Sequence, residues 1–253
     1  MKHSIDSLDS PGRYDQLESL IQGKVAIRRL YDETYRRYAE VLSRCPKDGI
    51  ALELGSGGGF IKDIVPDIVT SDVIPYPNID RLVDAVDMPF QDESLRAIFM
   101  LNVFHHIRDV NAFLHEATRC LIPGGRMLIV DQYPGWISSP ILKWFHHERF
   151  QPTVEQWAFS SSGPLSDANG ALAWIVFYRD RSKFEREFPR LDIAAIQPHT
   201  PLRYWLAGGL KRWSLLPGWG FGMATQLDRL LVRVSQRFGS FLDIELVKNG
   251  GGE

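Results

Sequence analysis

Ala51-Leu52-Glu53-Leu54-Gly55-Ser56-Gly57-Gly58-Gly59-Phe60 is the stretch on which the fold turns. A short apolar run carrying one acidic residue opens into four glycines with a serine among them. Such a run predicts a buried strand, a tight turn and a helix start, because glycine lets the backbone approach a ligand closely. A phosphate-binding P-loop is excluded, since no Gly-Lys-Ser/Thr follows. Gly55 and Gly57 also begin the Gly-x-Gly-x-x-Gly of a nicotinamide or flavin site, but Phe60 stands where its third glycine belongs.

The flanking sequence continues a strand and helix alternation. Pro66 shortens the helix that opens at 60–64. Ile68-Val69-Thr70 predicts a second strand with Asp72 at its tip, where an acid can accept hydrogen bonds from both hydroxyls of a ribose. A turn aspartate ahead of Pro75 and Pro77 is the plainer alternative. Leu82 to Ala85 reads as a short strand, and the continuous apolar run Ala97 to Leu101 as a fully buried one. Asp109 is placed to cap a helix whose apolar positions Val110, Phe113, Leu114, Ala117 and Leu121 recur at helical spacing. Pro123-Gly124-Gly125 stops it, and Arg126 to Val130 forms a further strand ending at Asp131. This order is a parallel α/β layout with ligand residues at the carboxyl ends of strands.

Over residues 49–132 the chain resembles the class I S-adenosylmethionine-dependent methyltransferases of small-molecule type. Their first motif, an acid, an apolar residue and Gly-x-Gly-x-Gly, is carried by Glu53, Gly55, Gly57 and Gly59. The Asp87-Met88-Pro89-Phe90 element, the His105-His106 pair and the Leu121-Ile122-Pro123-Gly124-Gly125 turn resemble the same family. The resemblance implies a Rossmann-like seven-stranded sheet, mostly parallel with an antiparallel last strand, helices on both faces and lid insertions. It implies S-adenosyl-L-methionine as cofactor. Gly55, Ser56, Gly57 and Gly59 would pass beneath it and Glu53 would lie near its amino-acid end. Asp72 and Val73 would meet the ribose, Asp87 and Met88 the adenine, and Asn102 the methionine portion.

Outside that core the residues speak more softly. Ile27, Leu30, Tyr31, Thr34, Tyr38, Val41 and Leu42 form one helical stripe from about Gln22 to Arg44, behind a loose leader. Residues 1–45 are therefore expected to be an N-terminal helical cap, and 46–253 the methyltransferase domain. Insertions at about 133–178 and 201–238 are expected to form an acceptor lid or an oligomer contact. Ala171 to Tyr178 suits either a strand or a buried helical turn, Arg181 to Glu187 a helix, and Leu191 to Ile196 a strand. Met223 to Phe238 predicts an amphipathic helix, with Leu227, Leu230, Leu231, Val234 and Phe238 on one side and Arg229, Arg233 and Arg237 on another. Trp205 to Phe221 is rich in aromatics, and a pocket wall or dimer contact is preferred over a membrane-facing surface, although the arginines would suit anionic lipid.

A formal charge of −2 argues against nucleic acid as a partner, and two cysteines make no disulfide framework, so a reducing cytoplasm is expected. No apolar run reaches the roughly 20 residues of a membrane span. Methyl transfer needs an in-line nucleophile and a base only when the acceptor must lose a proton. His105 and His106 titrate in the right range for that base, yet the resemblance also implies a structural or cofactor-lining role for the pair. Asp131 is the third catalytic candidate. Tyr133, Trp136, His146 and His147 are expected near the acceptor. His146-His147-Glu148 does not match His-Glu-x-x-His spacing, and no metal is expected. The expected activity is methyl transfer to oxygen or carbon of a small apolar or amphipathic molecule, lipid-like molecules included, by a monomer or homodimer. An NAD(P)-dependent oxidoreductase and a non-catalytic S-adenosylmethionine-binding protein are the alternatives.

Overall fold

The computed structural model describes residues 10–145, 148–160, 163, 165 and 167–250. Among them, seven strands form one sheet in the order β3-β2-β1-β4-β5-β7-β6. They are β1 (Ile50–Leu54), β2 (Val69–Asp72), β3 (Arg81–Leu82), β4 (Leu95–Leu101), β5 (Leu121–Gln132), β6 (Leu191–His199) and β7 (Phe241–Lys248). β1 pairs in parallel with β2 and β4, β2 with β3, and β4 with β5. β7 inserts antiparallel between β5 and β6. The chain runs outward from β1 to β3 and then returns to β4 on the other side of β1. That reversal opens a crevice at the carboxyl ends of β1 and β4.

The helices are α1 (Tyr14–Gly23), α2 (Val25–Leu42), α3 (Val110–Cys120), α4 (Ser138–Trp144), α5 (Leu172–Trp174), α6 (Arg181–Glu187), α7 (Arg203–Leu206) and α8 (Phe221–Val234). Side chains alternate across a strand, so the central strand β4 feeds two separate cores. Ala97 and Phe99 join Ala51, Leu128 and Val130 on the face that α2 covers with Ile27, Tyr35, Tyr38 and Val41. Ile98 and Met100 join Leu52, Met127 and Ile129 on the opposite face, under Phe113 and Leu114 of α3 and Phe184 of α6. Tyr38 stacks on Phe99 with centroids 4.5 Å apart, and burying a ring of that size contributes roughly 3 kcal/mol. Asp109 caps α3 as its sequence predicts, accepting from Ala112 N at 3.0 Å, a contact whose loss to alanine costs about 1 kcal/mol.

Two segments depart from the sequence reading, and one open choice is resolved. Helix begins well before Gln22: the Ser10 hydroxyl accepts from Gly12 N, and Pro11 opens a 3-10 turn that leads into α1. Lys24 then takes an extended conformation and separates α1 from α2, its ammonium held by the carbonyls of Gly209 and Lys211. Of the two conformations left open for Ala171 to Tyr178, the helical one is found, with α5 running into a wider turn in which Asp180 N donates to Ile175 O.

The second departure is α8. Its buried side is Phe221, Ala224 and Asp228, whereas Leu227, Leu230 and Val234 are exposed. Asp228 is drawn inward because it accepts from Arg203 Nε and from Leu202 N, both at 2.8 Å. That buried pair fixes the helix's rotation and turns the leucine side outward.

Candidate active site

A cavity of about 850 Å3 opens in the crevice at the carboxyl ends of β1, β2 and β4. The glycine loop forms its floor. Gly55 has φ +69°, and a Cβ there would overlap Val103 Cγ2, so the turn out of β1 requires glycine. Asp72, at the tip of β2, accepts from Gly57 N at 3.1 Å and from Ile74 N at 3.0 Å. The carboxylate thereby locks the loop to the second strand while lining the cavity. Burial raises its pKa, and the backbone N–H donors of Ile74 and Gly57 oppose the rise.

Two buried acceptors on neighbouring strand ends lack protein partners. Glu53 Oε2 on β1 and Asn102 Oδ1 just after β4 accept no hydrogen bond, and both residues line the cavity. Glu53 is pushed up to about 7, chiefly by burial, with a smaller push from Asp72 and an opposing hydrogen bond from Ser56. Asn102 sits at φ +55°, a conformation uncommon outside glycine that asparagine tolerates better than most residues. An unsatisfied buried polar atom costs about 1–3 kcal/mol, so this pair is suited to a ligand group that donates hydrogen bonds.

Three residues beyond Asn102, where β4 and β5 end, stands a charged cluster. His105 Nδ1 lies 2.6 Å from Asp131 Oδ1, and its backbone N–H donates to Asp131 Oδ2 at 3.1 Å. Its Nε2 faces Glu148 at 3.3 Å, and His106 Nε2 lies 3.6 Å from the other Glu148 oxygen. Burial by itself would lower the His105 pKa, but the charges of Asp131 and Glu148 outweigh it and raise it to about 10. His106 is lowered to about 4 by burial and by the neighbouring imidazolium. Its Nδ1 is 3.2 Å from the Asp167 carbonyl, which can only accept, so the proton sits there and Nε2 keeps its lone pair. His105, His106 and Glu148 are also, among the described residues, the group with ligand atoms close enough to hold a metal, within 4.8 Å of one another.

The cavity brings together Glu53, Gly55, Ser56, Gly57, Asp72, Val73, Asn102, His105 and His106. Other sequence candidates lie elsewhere. Gly59 is a packing glycine, since a Cβ there would overlap the Tyr35 hydroxyl. Asp87 is exposed and Met88 is buried in the core; Val83, Asp84, Ala85 and Val86 line that end of the cavity instead. Asp84 accepts from Val86 N at 3.1 Å, which curls the segment toward the crevice. Asp131 is fully buried behind His105. Tyr133 packs in the core and Trp136 is exposed against Phe238, so neither lines the cavity. His146 and His147 lie outside the described residues. Glu148, beside them in sequence, is the residue that reaches the cavity; its place beside two histidines was the available signal. The 201–238 insertion contributes a wall through Tyr204, Trp205, Gly208, Leu210 and Trp213.

Comparison with known proteins agrees with this geometry. Residues 52–129 match a family described as a methyltransferase domain. A demethylmenaquinone methyltransferase of Tropheryma whipplei (strain Twist) is 34% identical over 56 residues, which make up 22% of this chain and 23% of that relative. The chain thus spans about a quarter of the length of the curated relatives it matches. Phosphoethanolamine N-methyltransferase 2 of Haemonchus contortus, solved with S-adenosyl-L-methionine, superposes with a TM-score of 0.52 at 14% identity, covering 96% of this chain and 58% of that one. A chain from the Haloferax volcanii complex of the Trm112 methyltransferase activator with a methyltransferase gives a TM-score of 0.50 at 16% identity, covering 94% of this chain and 99% of that one. At such identities the likeness is one of fold.

Proposed function

We propose that this chain, whose residues 52–129 match a methyltransferase-domain family, is a class I S-adenosylmethionine-dependent methyltransferase that moves a methyl group to oxygen or carbon of a small apolar or amphipathic molecule. The observation that carries the reading is the pair of unpartnered buried acceptors, Glu53 Oε2 and Asn102 Oδ1, beside the glycine loop. They fit the ammonium at the amino-acid end of S-adenosylmethionine. Asp72 stands where the ribose hydroxyls would lie, and Asp84 with Ala85 and Val86 where the adenine would lie. A dinucleotide fits poorly, because its pyrophosphate would be brought to the glycine loop beside the Glu53 carboxyl.

The bound cofactor supplies a methyl group on a sulfonium, open to in-line displacement. The chain's part is to orient the acceptor and, for a hydroxyl or an acidic carbon, to take its proton. His105 is held as an imidazolium between Asp131 and Glu148 and is no base at neutral pH. Glu148 is the proton acceptor in this reading, with the His106 Nε2 lone pair beside it. Asp131 acts as a positioning residue through His105. Ile141, Phe145, Leu165, Trp205, Leu210 and Trp213 give the acceptor a mostly apolar chamber, formed by the insertions at 133–178 and 201–238.

Separate calorimetric titrations with S-adenosylmethionine and with NADH test the assignment. Binding of the sulfonium cofactor and none of NADH is expected; the reverse pattern overturns the reading.

A further inference from the structure

We infer that the outer side of α8 docks on an anionic lipid bilayer. Five large apolar side chains run along it: Trp219 is 79% exposed, Met223 63%, Leu227 45%, Leu230 58% and Val234 71%. Within α8 the last four recur at steps of four, three and four, which places them in a single stripe. The buried face of Phe221, Ala224 and Asp228 is a different one, so the stripe is left over after the helix has packed. Phe238 and Trp136 extend it: their rings meet edge-on at 5.0 Å, and Trp136 N donates to Arg237 O at 2.7 Å.

The charge around this stripe names the occupant. From 206 to 240 the sequence carries Lys211, Arg212, Arg229, Arg233 and Arg237, and its one acid is Asp228. All five cations are exposed, while Asp228 is 2% exposed and paired with Arg203. The exposed charges of residues 206–240 are therefore all cationic, on a chain whose formal charge is −2. Exposed tryptophans, an aliphatic stripe and flanking arginines are what an interfacial helix needs: the apolar side enters the headgroup boundary and the cations meet lipid phosphates. A second copy fits less well, since a two-fold contact through this patch would set the arginines of α8 against their own symmetry mates, and 206–240 offers no exposed acid to answer them.

The same insertion leads inward. Lys211 and Trp213 line the cavity, so the cationic segment that precedes α8 also supplies part of the chamber wall. Docking itself does not rest on the proposed methyl transfer and is read without turnover.

Vesicle flotation tests it, using phosphatidylcholine alone and an equimolar mixture with phosphatidylglycerol. The full chain should float with the anionic vesicles, stay behind with the neutral ones, and be released by high salt. Leu227→Glu/Leu230→Glu should abolish flotation, and Arg229→Ala/Arg233→Ala should weaken partitioning by roughly fivefold per charge. Unchanged thermal unfolding and S-adenosylmethionine binding in the same variants would show that the fold is intact. No flotation with either vesicle, or equal flotation with both, overturns the proposal. So does concentration-dependent self-association that the double leucine variant removes, which would assign the stripe to a second copy.

Discussion

Asp131 Oδ1 lies 2.6 Å from His105 Nδ1 with both side chains buried, and Glu148 occupies the ring's far nitrogen at 3.3 Å. The two carboxylates overcome burial and raise His105 from its ordinary 6.5 to about 10. A histidine with a raised folded pKa contributes stability that is fully present below 6.5 and is lost as pH rises through about 10. Thermal unfolding should therefore show stability falling across that window. Asp131→Asn should be less stable at pH 6 and show a flatter profile. A variant with the original slope would mean that Asp131 does not hold the proton on His105.

Glu148 separates catalysis from cofactor binding. It faces His105 and His106 in the cavity that Glu53 and Asn102 also line. Glu148→Gln keeps the shape and removes the proton acceptor, so kcat should fall by about 100-fold or more. The Kd for S-adenosylmethionine should stay within about twofold, since no cofactor contact is assigned to this side chain. Equal losses in both would make Glu148 a structural residue.

The three aspartates along the proposed nucleoside end should rank clearly. Asp72 lines the cavity and holds Gly57 N and Ile74 N. Asp72→Ala removes a charged acceptor and loosens the loop, and cofactor affinity should drop about tenfold or more, roughly 1–3 kcal/mol. Asp84→Ala should cost less, because Asp84 is partly engaged by Arg108 at 3.1 Å. Asp87→Ala should stay within about twofold, as expected of an exposed side chain. Calorimetry on the three variants checks the order; a larger loss at Asp87 than at Asp84 would restore the sequence assignment.

The sheet was legible in sequence because its signals are local. The run at 97–101 and the Asp109 cap each act within a few residues, whereas Pro123-Gly124-Gly125, expected to stop the helix, lies inside β5 because α3 already ends at Cys120. The cavity floor was legible for the same reason: Glu53, Gly55 and Gly57 sit in one turn. Gly59 and Asp87 share those motifs, but their roles depend on neighbours far away in sequence. Tyr35 of α2 fills the space at Gly59, and the Asp84–Val86 turn takes the place expected of Asp87. The rotation of α8 was hidden because a buried salt bridge 25 residues apart, Arg203 to Asp228, decides it against the leucine periodicity. Glu148 was hidden because its meaning comes from His105, which a separate strand end presents.

Glu53 gives the cofactor reading its sharpest pH signature. Its carboxyl is fully buried, Oε2 has no protein partner, and burial pushes it up to about 7. In the free protein the folded state holds this proton more tightly than the unfolded chain, so stability declines as pH rises from about 4.5 to 7 and then levels. A ligand ammonium pairs with the carboxylate form alone, so binding must expel the proton wherever it is still present. Affinity for S-adenosylmethionine should thus rise with pH up to about 7, by at most about tenfold per unit below that point, and flatten above it. Calorimetry in buffers of different ionisation enthalpy should register proton release on binding at pH 6 and little at pH 8. Glu53→Gln should bind more weakly at pH 8 and lose both the slope and the proton release. If the variant keeps the pH dependence, the ammonium is held elsewhere and Asn102 alone marks that end of the cavity.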